Sequence, residues 1–178
     1  MASVAILVNG LPGAGKSALG AELAALLGCP LLSKDTLVRS LTDMVGPMIP
    51  APALGAIAMD TMWRMAAAID AGVVVDAVWL AERDRGFLEA GLATAGTARA
   101  VEIWCDIDET EARRRLSERS PSDERGLRFW DEHGANAAPV GVTPVIRVST
   151  AERVDIAELV QEIAAHFVEP IDRLSTPA

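Results

Sequence analysis

The chain predicts an α/β fold of the P-loop type, a three-layer sandwich whose parallel sheet is covered by helices on both faces. Three observations carry that expectation. The octapeptide Gly10-Leu11-Pro12-Gly13-Ala14-Gly15-Lys16-Ser17 satisfies the pattern G-x-x-x-x-G-K-[ST] at every required position. It follows a short β-branched apolar run at 4–8 and precedes Leu19, Leu23, Leu26 and Leu27 at helical spacing, so strand, glycine loop and helix come in the required order. Beyond it, apolar runs suited to strands alternate with helical segments, the mark of a parallel sheet with ligands at the carboxyl ends of its strands.

The elements follow in order. After the first strand, further strands are expected at 30–33, 72–76, 100–106 and 144–149. Helices are expected at about 36–44, 54–70, 82–95, 109–119 and 152–167. The last is amphipathic through Ile156, Leu159, Val160, Ile163 and Phe167. Asp108 with Glu111, and Ser149 with Glu152, read as helix starts of the capping-box kind. At 178 residues the chain is expected to be one domain over 1–169, with a loose tail over 170–178.

Composition narrows the function classes. Half of the residues are apolar, so a real core is expected. The net charge of −9 disfavours a nucleic-acid partner, which requires a basic surface. Cys29 and Cys105 form neither a metal spacing nor a disulfide framework, which suits a reducing, cytoplasmic setting. The N-terminus lacks the basic region of a signal peptide. The uncharged stretch 44–59 is too short and too rich in proline to cross a bilayer, so no membrane partner is expected.

The chemistry is expected to gather just after the strands. In the glycine loop, Gly10, Gly13, Ala14 and Gly15 present backbone N–H groups to phosphate oxygens. Lys16 reaches the β- and γ-phosphates, and the Ser17 hydroxyl holds Mg²⁺. A nucleoside triphosphate, ATP, is therefore the expected cofactor, with Mg²⁺ beside it. Only two of the 16 cationic residues are lysines, Lys16 and Lys34, and a compact ammonium suits a crowded phosphate site, so Lys34 is a candidate as well.

Asp35, after the second strand, faces the space where an acceptor lies. It is read as the base that accepts a hydroxyl proton, against the alternative of an N-cap. Arg39, one turn on, either contacts the acceptor or a phosphate or faces solvent. The apolar run 73–75 ends in Asp76, a Walker-B-like acid for the metal; Asp106, ending the next run, is the rival and is placed nearer the lid. Residues 109–133 carry Arg113, Arg114, Arg115, Arg119, Arg125 and Arg128. They read as a lid over about 109–138, with Arg115 and Arg119 on one helix face, or else as a solvated face of i,i+4 pairs. Met44, Met48, Met59, Met62 and Trp63 read first as core, and second as the wall of an acceptor pocket with Asp60, Arg64 and Trp79 nearby. His133 and His166 have no partners at metal-ligand spacing and read as structural.

Taken together, the loop at 10–17, Ser33-Lys34-Asp35, the Val-Val-Val-Asp at 73–76 and the Arg-x-x-x-Arg at 115–119 resemble one group of P-loop kinases. That group includes chloramphenicol phosphotransferase, zeta toxins and the polynucleotide 5′-kinase domain. The resemblance implies a five-stranded sheet of order 2-3-1-4-5, activation of an acceptor hydroxyl by Asp35 and a lid after 109. The sequence departs from related patterns. Leu37 stands where shikimate kinases carry a second acid, Ala77-Val78-Trp79-Leu80 replaces the Gly-Phe-Pro-Arg turn of nucleoside monophosphate kinases, and Ala77-Val78 replaces the Thr-Asn of polynucleotide kinases. The expected activity is phosphoryl transfer from ATP to an alcohol group of a small molecule, a metabolite or an antibiotic. A polynucleotide or nucleotide kinase, and a regulatory ATPase without an acceptor, stand as alternatives.

Overall fold

The computed structural model describes residues 4–119 and 124–167. Its centre is an all-parallel five-stranded sheet of order β2-β3-β1-β4-β5, made of β1 (Val4–Asn9), β2 (Leu31–Ser33), β3 (Val73–Asp76), β4 (Arg99–Asp106) and β5 (Val145–Ser149). Parallel pairing needs crossovers, and the helices supply them: α1 (Lys16–Leu27), α2 (Lys34–Val45), α3 (Ala51–Ala67), α4 (Ala81–Ala95), α5 (Glu109–Arg119), α6 (Glu124–His133) and α7 (Ile156–Ala165). The strand order and two-sided helical cover are those the sequence implies. The expected tail at 170–178 lies outside the described residues.

Strand alternation sorts the core into layers. In β1, Ala5 and Leu7 face one side with Val73, Val75, Met62, Trp63 and Leu88. Ile6 and Val8 face the other, with Val74, Ile103, Leu19, Leu23, Leu159 and Ile163. Both faces of the sheet are thus buried, which explains why β1 and β3 read as continuous apolar runs. A third cluster, Leu11, Leu80, Trp104, Ala112, Leu116 and Trp130, packs α5 and α6 over the end of β4 beside the glycine loop.

Helix boundaries show where local signals were read well and where they were not. Asp108 does cap α5, accepting from the Thr110 N–H at 2.8 Å, but Glu111 turns to arginines instead of closing the box. The expected start at Ser149 is wrong: α7 begins later, where Asp155 accepts from the Ala157 and Glu158 N–H groups. Ser149 is still in β5, so the chain needs the intervening turn to reverse direction. α6 was not anticipated as a helix; its apolar positions, Leu127 and Trp130, are few among charges.

Candidate active site

The glycine loop links the carboxyl end of β1 to α1. Its sharp path requires left-handed backbone at Gly13 (φ 82°) and Gly15 (φ 76°). It also requires close approach: a Cβ at Gly13 would lie 2.6 Å from the Ala112 carbonyl oxygen, and one at Gly10 would lie 2.8 Å from that of Cys105. Gly13 therefore serves two needs at once, a backbone conformation and direct packing against α5.

Lys16 lies at the first position of α1 and its ammonium donates to the Leu11 carbonyl within the loop at 3.0 Å. Burial pushes its pKa below the ordinary value, while the nearby Asp76 and Asp35 carboxylates oppose that shift. An ammonium held this way gains from an anion, because phosphate restores the charge partners that desolvation removed. The next residue, Ser17, donates its hydroxyl to Asp76 at 2.8 Å, and Ser33 donates to the same oxygen at 3.3 Å. Asp76 is 3% exposed and burial raises its pKa, with Lys16 and the two hydroxyls pulling the other way.

The hard-oxygen pair of Ser17 and Asp76 fits Mg²⁺, which keeps several waters and takes few protein ligands. Among the described residues no group of three His, Cys, Asp or Glu side chains converges, so no closed all-protein cage competes with that arrangement. Asp106 sits elsewhere, exposed at the end of β4 and ion-paired to Arg147 at 3.3 Å.

Asp35 occupies the second position of α2, directly after β2, whose Ser33 is in register with Asp76. Its carboxylate is exposed and makes no hydrogen bond or ion pair among the described residues. The N-cap position belongs to Ser33, which makes no side-chain cap bond, so Asp35 is not consumed in capping. Both Lys16 and Asp76 feel its charge. Lys34 lies half-buried beside it, its stem passing Gly55 of α3, and Arg39 is exposed one turn further along α2.

α5 forms a wall of the loop. Arg115 runs past Gly15, donates to Glu111 at 2.7 Å and reaches the Thr150 and Ala151 carbonyls after β5 at 3.0 and 3.2 Å. Arg119 is exposed and acts electrostatically on Lys16. Arg113 and Arg114 are spent on a solvated face, paired with Glu109, Asp131, Glu111 and Glu118. The alternative reading of the arginines therefore holds for these two and for Arg128, which pairs with Glu124 at 3.3 Å on an exposed face of α6. α6 is tied to the same loop by Trp130, whose indole N–H donates to the Pro12 carbonyl at 2.8 Å. Both helices pack on the loop in this conformation, so no detached Arg-rich lid is seen among the described residues.

The pocket built on Asp60, Trp63 and Trp79 is not assembled. Helical geometry in α3 turns Leu54, Ala58, Met62, Trp63 and Ala66 inward and leaves Asp60 and Arg64 outward, 3.8 Å apart and largely exposed. Trp63 and Trp79 are core residues with ring centroids 6.1 Å apart, and neither indole N–H finds a partner among the described residues. Met62 is core, whereas Met44 and Met48 are largely exposed.

Sequence reading missed a buried polar network at the loop entrance. Asn9, the last residue of β1, donates to Glu102 at 2.6 Å and to the Trp79 carbonyl at 2.7 Å. It accepts from the Gly10 and Trp79 N–H groups at 2.7 and 2.9 Å. Glu102, fully buried in β4, also accepts from Val140 and Gly141, each at 2.9 Å. Two side chains thus lock the start of the phosphate loop to the segment after β3 and to the segment before β5. The available signal was a lone carboxylate inside the apolar run of β4.

A phosphate-binding loop between β1 and α1, a Ser17–Asp76 pair and a 2-3-1-4-5 parallel sheet define the P-loop kinase fold. The family model described as an AAA domain matches residues 6–136, most of the chain, and the protein belongs to that family. Solved structures with the same fold include a candidate kinase from Chloroflexus aurantiacus, 22% identical with a TM-score of 0.76, covering 94% of this chain and 97% of that one. A gluconokinase from Sinorhizobium meliloti is 20% identical with a TM-score of 0.60, covering 93% and 90%. The APS kinase of Mycobacterium tuberculosis, solved with AMPPNP and APS, is also 20% identical with a TM-score of 0.60, covering 93% and 97%. A comparison with curated proteins finds no match. Among the described residues no helix is long and apolar enough to cross a membrane.

Proposed function

We propose that the protein is an ATP-dependent phosphotransferase that moves the γ-phosphoryl group to a hydroxyl of a small molecule. The observation that carries this reading is Asp35: a carboxylate with no structural bond of its own, placed at the carboxyl end of β2 beside the loop that would hold the phosphates. Hydrolysis needs no acceptor-side base at this corner; transfer to an alcohol does.

In this reading the loop N–H groups and Lys16 bind the phosphates and neutralise their charge. Mg²⁺, held by Ser17 with Asp76 behind it, would supply further neutralisation of the β- and γ-phosphates. Asp35 orients the acceptor hydroxyl and takes its proton as the oxygen bonds to the γ-phosphorus. The bond from that phosphorus to the β,γ-bridging oxygen breaks, and ADP leaves. Arg115, which passes Gly15, and Arg119, whose charge acts on Lys16, would stabilise the transferring group, with α5 and α6 excluding water. The Arg-rich segment would then act as a closing wall and not as a free flap. The neighbours whose names specify small-molecule kinases support the class.

The test is Asp35→Asn. The exchange keeps size and polarity and removes the base, so folding and ATP affinity are expected to persist while transfer falls by ~10²-fold or more. Retained transfer in that variant would assign the base elsewhere, whereas ATP hydrolysis by the wild-type protein with no transfer to any acceptor would return it to the regulatory ATPase class.

A further inference from the structure

The acceptor half of the cleft is positively charged in a protein that is otherwise strongly acidic. β2 and β3 are neighbours, so α2 and α4, which follow them, begin side by side at the carboxyl edge of the sheet. The first residue of α2 is Lys34 and the third residue of α4 is Arg83. Lys34 is half-buried with its stem passing Gly55, and its ammonium makes no hydrogen bond or ion pair among the described residues. An ammonium that loses water without a direct bond to a carboxylate is costly to keep, and an anion arriving from outside offsets that cost.

Arg83 is built differently. Its Nε and one Nη donate to the two oxygens of Asp84 at 2.9 and 2.7 Å, and its guanidinium lies over the Phe129 ring of α6, 5.4 Å from the centroid. Asp84 is itself anchored, because it accepts from the Leu80 N–H at 2.8 Å and is buried. One edge of the guanidinium and one face are therefore fixed. The remaining edge, with the side chain 43% exposed, has no other hydrogen bond among the described residues. A planar fork held in this way is preorganised for the two oxygens of an oxyanion.

The charged groups that act on Lys34 are Asp84, Arg83, Asp35 and Arg125 of α6. With Lys34 itself that makes three cations against two carboxylates. One of those carboxylates is spent on Arg83 and the Leu80 N–H, and the other is the proposed base. The balance is cationic at the place where the acceptor would sit.

We propose that Lys34 and Arg83, with the charge of Arg125 added to theirs, form a cradle for an oxyanion, so that the alcohol phosphorylated at Asp35 also carries a carboxylate or a phosphate or sulfate ester. This rests on the phosphotransferase reading for the role of Asp35, but the cradle itself is a binding statement. An anionic acceptor is steered into this half of the cleft, and its anion fixes the molecule so that a hydroxyl falls to Asp35. A neutral polyol or an uncharged antibiotic leaves the Lys34 ammonium and the open edge of the Arg83 guanidinium without an anion, which selects against it.

The test uses the full chain saturated with Mg·AMPPNP, titrated with matched pairs: D-gluconate against D-sorbitol, D-glycerate and glycerol 3-phosphate against glycerol. Binding is read by calorimetry, and ADP formation with Mg·ATP in parallel. At least one anionic member is expected to bind about tenfold or more tightly than its neutral partner, the scale of a charge-assisted bidentate contact, with the advantage shrinking as salt is raised. Arg83→Gln and Lys34→Gln should each erase most of that advantage while leaving AMPPNP affinity within about twofold. Arg83→Lys, which keeps charge without the fork, should restore only part of it. Carboxylate and phosphate members separate the two anion chemistries. Anions that bind and lose affinity in the variants, yet are never phosphorylated, would leave the cradle standing and remove the kinase reading. Equal binding of neutral partners, a preference unchanged in both Gln variants, or no anionic binding at all would overturn the proposal.

Discussion

Glu102→Gln is the sharpest probe of how the phosphate loop is held. The wild-type carboxylate receives three donors: the Asn9 amide at 2.6 Å and the Val140 N–H at 2.9 Å on one oxygen, and the Gly141 N–H at 2.9 Å on the other. A glutamine has a single oxygen. In its better orientation that oxygen keeps Asn9 and Val140, and the new amide nitrogen then confronts the Gly141 N–H, donor against donor. The part-buried Gly141 N–H loses its acceptor and the new amide hydrogens, on a fully buried side chain, lack one too; at ~1–3 kcal/mol for an unsatisfied buried group the expected loss is about 2–3 kcal/mol. For a domain of this length each kcal/mol moves Tm by about 2–4 °C, which predicts a fall of roughly 4–12 °C. Thermal unfolding by circular dichroism measures it. Because Asn9 keeps its partner, the Gly10 N–H stays placed and the KM for ATP should shift less than about threefold. Asn9→Ala is the contrasting perturbation, since it orphans the Gly10 and Trp79 N–H groups together and should weaken ATP binding as well as stability. A Tm unchanged in Glu102→Gln would refute the view that a carboxylate acceptor organises this junction.

Four further outcomes are expected. Lys16→Ala should lower ATP turnover by ~10²-fold or more with the fold intact by circular dichroism, since the loop amides alone do not balance the β- and γ-phosphate charge. Arg115→Ala and Arg119→Ala should both lower kcat more than ATP affinity, and Arg115→Ala should also lower Tm, because it abandons the Thr150 and Ala151 carbonyls; an unchanged Tm in Arg115→Ala would contradict this. Burial lifts the Cys105 thiol from 9.0 to about 12, so the folded state holds its proton where the unfolded chain has lost it. Its contribution to stability is complete below pH 9 and disappears as pH rises towards about 12, so Cys105→Ala should flatten the alkaline limb of a Tm–pH curve. In native protein a thiol reagent should modify half-buried Cys29 before Cys105.

The order of strands and helices, the phosphate loop and the residues at strand ends were legible in the sequence because they are local. A run such as Val73-Val74-Val75-Asp76 states its own strand and its own polar terminus, and the spacing of Gly10, Gly15, Lys16 and Ser17 states a loop geometry. Those constraints act within a few residues and leave a pattern. Whether a side chain points to a cleft does not. Asp60 and Trp63 are three residues apart in one helix, yet one is solvated beside Arg64 and the other is core, because only packing against Gly91 and Trp79 decides which face of α3 is inside. Asn9, Glu102, Val140 and Gly141 meet across three separate segments, and Arg83 of α4 lies over Phe129 of α6 while its charge acts on Lys34 of α2. The sequence by itself determined the phosphate loop, the parallel sheet and the position of Asp35. Only the tertiary structure decided which polar residues are buried together, because desolvation and hydrogen-bond pairing depend on what distant strands and helices bring alongside.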